Sequence, residues 1–373
     1  MQRRTFLKSM AMLAAASLDS PALFAKSAKK LKLLILGGGN FVGPNLVRVA
    51  QEHGHEVTLF NRGHSTPQMF PNVETLLGDR YPDRAPGLKA LEGKRKWDFV
   101  VDTWSTAPGV VKASAELLKG RVKAYLYVST ISVYSKFEQP GMTEDAPLNQ
   151  AKGPVNWMDE KVPYPLAKAL AEDSIVQAMG KQRSALIRPG VISGRDYSSQ
   201  PRNQRVYWPF RMRRGGDVLA PGDGKDPVQY IDVKDLSAFV IHAAEAELSG
   251  GFNLIGPEKP MTMSEYLGGI KEVTKSDARL HWVDAKFIDA QDVRIPMFAP
   301  VAEIPGFFQM SNSKSMANGL KYRPFAQTVN DILESYPENM EPNAGRDGGP
   351  SLDKEKELLA AWQKQHPSVS GSL

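Results

Sequence analysis

In the stretch PYPLAK, Tyr164 and Lys168 stand four positions apart, the spacing that puts two side chains on one face of a helix. Pro163 and Pro165 suit the first turn of such a helix, where an absent N–H leaves no bond unmade. The chemistry this pair offers is proton transfer. Tyrosine, with an ordinary pKa of about 10, is a poor base at neutral pH, but an ammonium group beside it favours the phenolate. The same spacing also suits two solvated residues on a surface helix, so the surroundings must decide.

A second chemical feature lies nearer the N-terminus. The apolar run LKLLIL at 31–36 leads into LGGGNFVG, from Leu36 to Gly43, and then into a segment with helical apolar spacing at 44–52. Strand, glycine turn and helix in that order aim backbone N–H groups from a helix N-terminus, where they hold a pyrophosphate. Asn40 tolerates left-handed backbone angles better than other non-glycine residues, so a turn there survives.

Elements able to carry these groups recur along the chain. EVTLF at 56–60, VETLL at 73–77, DFVVD at 98–102, AYLYVS at 124–129 and SALIR at 184–188 join LKLLIL as buried parallel strands. Segments 44–52, 110–118 and 163–179 between them have the three- and four-residue spacing of helices that cover a sheet. The alternation predicts an α/β fold, a Rossmann-type doubly wound parallel sheet. Residues 31–195 would form most of the dinucleotide-binding domain. Residues 196–340 would form a smaller substrate-binding region with returns to the core, and 341–373 a Gly/Pro/Asn-rich loop and an amphipathic helix docking Leu358, Leu359 and Trp362.

The 373-residue chain has no cysteine, which excludes disulfides, thiol nucleophiles, iron–sulfur clusters and thiolate metal sites. Its formal net charge is +6, with basic and acidic residues interspersed rather than in blocks, so no nucleic-acid surface is demanded. The six histidines show no metal-binding spacing, and no metal is expected. His53 and His55 are expected to be solvated or satisfied within the protein.

The stretches LGGGNFVG, LFNRG (59–63), GDR (78–80), YVSTISVY (127–134) and PYPLAK (163–168) together resemble the short-chain dehydrogenases/reductases of the extended and atypical kinds, the NAD-dependent epimerases/dehydratases. Gly37 and Gly43 match the outer positions of the family's Gly-x-x-Gly-x-x-Gly fingerprint. Asn40 replaces the middle glycine, as in atypical members with Gly-Gly-x-x-Phe-Val-Gly. The resemblance implies a dinucleotide held by Gly37, Gly38, Asn40, Phe41, Val42 and Gly43. Asn61 and Arg62 end the second strand where an acid would repel a 2′-phosphate; Arg62 either pairs with that phosphate or stacks on the adenine, which suits both cofactors, and the cofactor, NAD(P), leans to NADP. Asp79, with Arg80 beside it, would meet the adenine. Thr130, Tyr164 and Lys168 match the family's catalytic trio: Tyr164 moves a substrate hydroxyl proton, Thr130 bonds the same oxygen, and Lys168 supports the phenolate and holds the cofactor ribose. IRPGVISGRD at 187–196, DPVQYIDVKDL at 226–236 and NGLKYRPFAQT at 318–328 extend the likeness. Within QRVYWPFRMRRGG at 204–216, Tyr207, Trp208 and Arg211 either line a sugar pocket or form a packed helix with a solvated basic face.

The N-terminal stretch RRTFLKSM, followed by an uncharged run from Met10 to Leu18, resembles a twin-arginine export signal spanning 1–25. The run is about half the ~20 residues that cross a bilayer, so no stable membrane anchor is expected. That route carries folded proteins, which implies periplasmic localisation, the export machinery as a partner and a tightly bound cofactor. With no dinucleotide pool outside the cytoplasm, a redox-neutral epimerase or two-substrate oxidoreductase on a sugar-like small molecule follows. Two other readings stand beside it. Atypical relatives such as the chloroplast stem-loop-binding proteins share Gly-Gly-x-x-Phe-Val-Gly yet are associated with RNA, although nucleic acid is the less favoured partner here. A dinucleotide-bound sensor or scaffold without turnover is the other.

Overall fold

A computed structural model describes residues 29–64, 66–197, 206–300, 302–336 and 348–366. The export signal read at 1–25 lies outside the described residues, as does most of the loop that opens the C-terminal segment.

Among the described residues, seven strands form one parallel sheet: β1 (Lys32–Leu36), β2 (Glu56–Asn61), β3 (Glu74–Leu77), β4 (Phe99–Asp102), β5 (Ala124–Val128), β6 (Ser184–Pro189) and β10 (Gly250–Leu254). Their order is β10-β6-β5-β4-β1-β2-β3, and every neighbouring pair is parallel. All six apolar runs form strands. Alternate residues of β1 point to opposite faces. Leu33 and Ile35 pack with Leu46, Val47 and Ala50 of α1 (Val42–Glu52) and Leu236 and Val240 of α6 (Val233–Glu245). Leu34 and Leu36 pack with Val111 and Ala115 of α3 (Pro108–Leu118) and Ala171 and Ile175 of α4 (Tyr164–Met179). Both faces are covered, which explains why the strands read as near-continuous apolar runs. A short α2 (Thr66–Met69) follows β2.

From β1 the chain turns to β2 and β3 on one side, and β4, β5 and β6 lie on the other. This reversal opens a crevice at the carboxyl ends of β1 and β4, the usual ligand position in such sheets.

The second layer of structure is smaller. β7 (Val191–Ser193) pairs in parallel with β9 (Pro227–Asp232), which pairs antiparallel with β11 (Gly256–Thr262). β8 (Asp217–Pro221) pairs with β12 (Arg279–Val283). Around them lie α5 (Tyr207–Arg213), α7 (Met263–Thr274), α8 (Ala285–Asp289), α10 (Phe325–Glu334) and α11 (Leu352–Gln365), while α9 (Ser313–Ala317) packs on β10 of the main sheet. Leu358 and Leu359 of α11 enter this core, with Trp362 packed against it. No helix among the described residues is long and apolar enough to cross a membrane.

Candidate active site

The glycine loop leaves β1 with Gly37 at φ +126° and Gly38 at φ +95°, angles that side chains rarely adopt. The left-handed positions fall on these two glycines and not on Asn40, which is exposed and accepts the Gly43 N–H through its carbonyl at 2.7 Å. A Cβ on Gly43 would lie 2.5 Å from the Gly38 backbone, so the loop folds back on the start of α1 too closely for any other residue. No side chain caps that helix and no acid lies in its first turn, which leaves its amides suited to an anion. Phe41 is buried at the turn and Val42 half-buried.

Asn61 ends β2, yet its side chain is committed to the loop. Nδ2 donates to the Gly37 carbonyl at 2.8 Å, while Oδ1 accepts from Gly63 N at 2.8 Å and Thr66 Oγ1 at 3.0 Å. It shapes the crevice by holding backbone. Arg62 beside it is exposed. Asp79 caps its own turn by accepting the Tyr81 N–H at 2.9 Å.

At the other end, Lys168 lies one turn along α4 from Tyr164. Its Nζ donates to the carbonyls of Trp104 and Val128, both at 2.6 Å, and sits 4.4 Å from the centre of the Tyr127 ring. Those carbonyls mark the ends of β4 and β5. Burial lowers the Lys168 ammonium to a pKa of about 7, with Asp102 and Glu172 pulling it upward and Arg80 opposing them. Thr130 follows β5 and caps the short turn Ile131–Val133 by accepting the Ser132 N–H at 3.2 Å, and α4 packs on that turn. Tyr164 opens α4 with 45 % of its surface exposed. Thr103 Oγ1 would stand 2.7 Å from a Cβ on Gly37, so the glycine loop and the carbonyl holding Lys168 are joined through adjacent residues. Two buried polar atoms at these strand ends, Trp104 Nε1 and Ser129 Oγ, have no partner among the described residues, as expected where a polar ligand completes a site. The cradle therefore fits a dinucleotide.

The structure turns Arg80 away from the expected contact and, of the two readings of Tyr207, Trp208 and Arg211, takes the packed helix. Arg80 turns beneath the crevice and forms a bidentate pair with Asp102, 2.7 Å on each arm, so both arms of its guanidinium are spent within the core. Trp208 is buried with Nε1 donating to the Pro296 carbonyl at 2.6 Å, and Tyr207 packs beside it in the second core. Arg211 is buried too; it pairs with Glu355 of α11 at 2.6 Å and bonds the carbonyls of Gly215 and Asp217. These three residues build the core instead of a sugar pocket, and Arg211 is not on a solvated face. An apolar helix face with an arginine embedded in it gives the same spacing whether the arginine meets a ligand or a carboxylate 144 residues away.

Asp102 and Trp104 were missed as site residues. The signal was present in DFVVD, where an acid closes an otherwise buried strand and demands a partner. Sequence spacing also left out Glu245, whose Oε1 lies 2.9 Å from His53 Nδ1 and 3.0 Å from His55 Nε2, a constellation with the donors of a metal site. His55 Nδ1 accepts the Leu31 N–H at 3.4 Å, which assigns the ring proton to Nε2 and makes that atom a donor to Glu245. A metal ligand at Nε2 has the opposite tautomer, so His55 reads as satisfied within the fold.

Comparison with known proteins agrees with this architecture. The chain is 29 % identical over 274 residues to the chloroplast stem-loop binding protein of 41 kDa b of Arabidopsis thaliana, covering 68 % of this chain and 62 % of that protein, somewhat under two thirds of its length. It is 28 % identical over 256 residues to a 2-alkyl-3-oxoalkanoate reductase of Stenotrophomonas maltophilia (strain K279a), covering 63 % and 73 %. The fold superposes on the UDP-N-acetylglucosamine 4-epimerase from Bacillus cereus with a TM-score of 0.59 at 17 % identity, covering 83 % of this chain and 100 % of that one. The model of the NAD dependent epimerase/dehydratase family matches residues 33–256, and the chain belongs to that family.

Proposed function

We propose that this protein is an NAD(P)-dependent epimerase or oxidoreductase that acts on a hydroxyl or keto group of a sugar-like substrate. The observation that carries the reading is the cradle at the ends of β4 and β5, where Lys168 is fixed between two backbone carbonyls one helical turn from Tyr164 and beside the turn that Thr130 caps. A bound dinucleotide would supply the hydride acceptor and donor. Gly37, Gly38, Phe41, Val42 and Gly43 would hold its pyrophosphate through backbone amides, with Asn40 and Asn61 shaping the loop. Asp79 and Arg62 would face its adenosine half. Arg62 is exposed where no acid stands, which supports the lean towards NADP. Tyr164 Oη would take and return the substrate hydroxyl proton, Thr130 Oγ1 would donate to the same oxygen, and the Lys168 ammonium would favour the phenolate.

The reading of RRTFLKSM as an export signal supports a periplasmic setting for this chemistry, where cofactor cannot be exchanged. A tightly retained dinucleotide and a redox-neutral cycle follow from that location. Mass spectrometry of ligand released from natively exported protein tests the whole reading, since cofactor identity and oxidation state together constrain the reaction. A protein that carries no dinucleotide and binds none by calorimetry would sink it.

The likeness to a stem-loop binding protein favours RNA binding as the second reading. Tight, salt-dependent binding of a stem-loop RNA, with no dinucleotide retained, would select it.

A further inference from the structure

Lys168 reaches the end of β4 at the Trp104 carbonyl, and a buried network underneath fixes that carbonyl. Trp104 N donates to Asp102 Oδ1 at 2.9 Å, the oxygen that also takes Arg80 Nη1. Asp102 Oδ2 takes Arg80 Nη2 and the Tyr125 hydroxyl, and Nη2 also donates to Ser114 Oγ at 3.2 Å. The Trp104 carbonyl accepts from Tyr127 Oη at 2.9 Å as well as from Lys168. Asp102 is fully buried and Arg80 nearly so. Burial alone would raise the Asp102 carboxyl, but Arg80, Tyr125 and the Trp104 N–H hold it below its ordinary value. A buried ion pair of this kind is often no more stable than apolar residues of the same volume, so stability alone gives little reason for one here.

Its placement gives a better reason. Arg80 belongs to the turn after β3, one residue beyond Asp79 at the adenine end of the crevice. Asp102 closes β4 at the end where Lys168 stands. We propose that the Arg80–Asp102 pair is a positioning device that couples the turn after β3 to Lys168 through the backbone of Trp104. The inference rests on the dinucleotide reading above and adds to it that the two ends of the cofactor site are braced against each other beneath the sheet's edge. Arg80 and Asp102 spend their side-chain bonds on each other, Ser114, Tyr125 and the Trp104 N–H. Asp102 holds the N–H of Trp104, the residue whose carbonyl is one of the two that aim Lys168, and Asp102, Glu172 and Arg80 are the charges that act on its ammonium.

The test uses the full chain with two variants. Arg80→Met/Asp102→Leu removes the pair without leaving a buried charge, and Asp102→Asn keeps the shape while removing the anion. Calorimetry measures NADPH, NADH and ADP, and the ε-carbon resonance of Lys168, assigned with Lys168→Arg, is titrated by NMR. Expected for the double variant is about a tenfold loss for the preferred dinucleotide with ADP changed less than twofold, because ADP does not reach Lys168. Expected for Asp102→Asn is a downward shift of the Lys168 midpoint by about one unit. Equal losses for dinucleotide and ADP would mark general damage and overturn the proposal, as would an unmoved midpoint. If the unaltered protein binds neither dinucleotide, the reading of the site fails, and the Lys168 midpoint alone then decides whether the pair positions the lysine.

Discussion

The side-chain amide of Asn61 donates to the carbonyl of Gly37 at 2.8 Å, so the end of the second strand holds the glycine loop of the first. Asn61→Ala removes this bond and the two that its oxygen accepts from Gly63 and Thr66. The expected cost is about 1–3 kcal/mol of unfolding free energy, together with weaker dinucleotide binding as the loop loosens. Denaturant unfolding and calorimetry on the same preparation check both. Unchanged values would show that backbone pairing, with Gly37 N donating to the Phe60 carbonyl at 3.0 Å, suffices.

Gly43→Ala is a sharper probe. The added Cβ meets Gly38 backbone at 2.5–2.8 Å, and backbone cannot swing aside as a side chain can, so the loop must move. A loss of about 1–3 kcal/mol is expected, with dinucleotide affinity down at least about tenfold. Gly268→Ala is the control. Nothing lies within 4 Å of its Cβ in the middle of α7, and a gain of about 0.5–1 kcal/mol is expected there.

Tyr164→Phe separates an enzyme from a dinucleotide-bound sensor. With 45 % of Tyr164 exposed, the variant should melt with the parent protein and retain its dinucleotide. Turnover should fall by about 10²–10⁴ when a proton-transferring hydroxyl is removed. Function that survives this change would favour the sensor.

Arg211 and Glu355 tie α5 to α11 with both side chains buried. Glu355→Gln leaves a buried guanidinium unpaired and should cost about 3–5 kcal/mol, whereas Arg211→Met/Glu355→Leu should recover most of it. Chemical denaturation of the two variants gives the comparison. If Arg211 served a ligand instead, stability would change little and substrate affinity would carry the effect.

Lys168 makes binding depend on pH. Its ammonium has three N–H donors and two are given to Trp104 and Val128. The neutral amine has only two, so none remains for a ribose hydroxyl. Dinucleotide affinity should weaken as pH rises through about 7, with proton uptake on binding above that value, measurable by calorimetry in buffers of different ionisation enthalpy. Stability has the opposite sign. The folded pKa lies below the ordinary value of about 10.4, so between about pH 7 and pH 10.4 the unfolded chain binds the extra proton and this group adds stability as pH rises. Lys168→Met should remove that rise; a rise that persists would assign it to other groups.

The strands, the first helix and the Tyr164/Lys168 helix were legible because a sheet covered on both faces needs apolar runs, and a covering helix needs a 3.6-residue stripe. Those patterns are local and survive without knowledge of the partner element. The glycine loop was legible for the same reason, although the positive backbone angles settle on Gly37 and Gly38 and leave Asn40 out. Charged residues behaved differently. Arg80, Arg211 and Glu245 each find a partner distant in the chain, Asp102, Glu355 and the His53/His55 pair, and no local pattern tells a buried ion pair from a ligand contact. The sequence by itself determined where the backbone runs and which helix presents tyrosine and lysine together. Only the tertiary structure decided which cations face the crevice and which lie beneath it, because burying a charge depends on a partner that folding alone brings within reach.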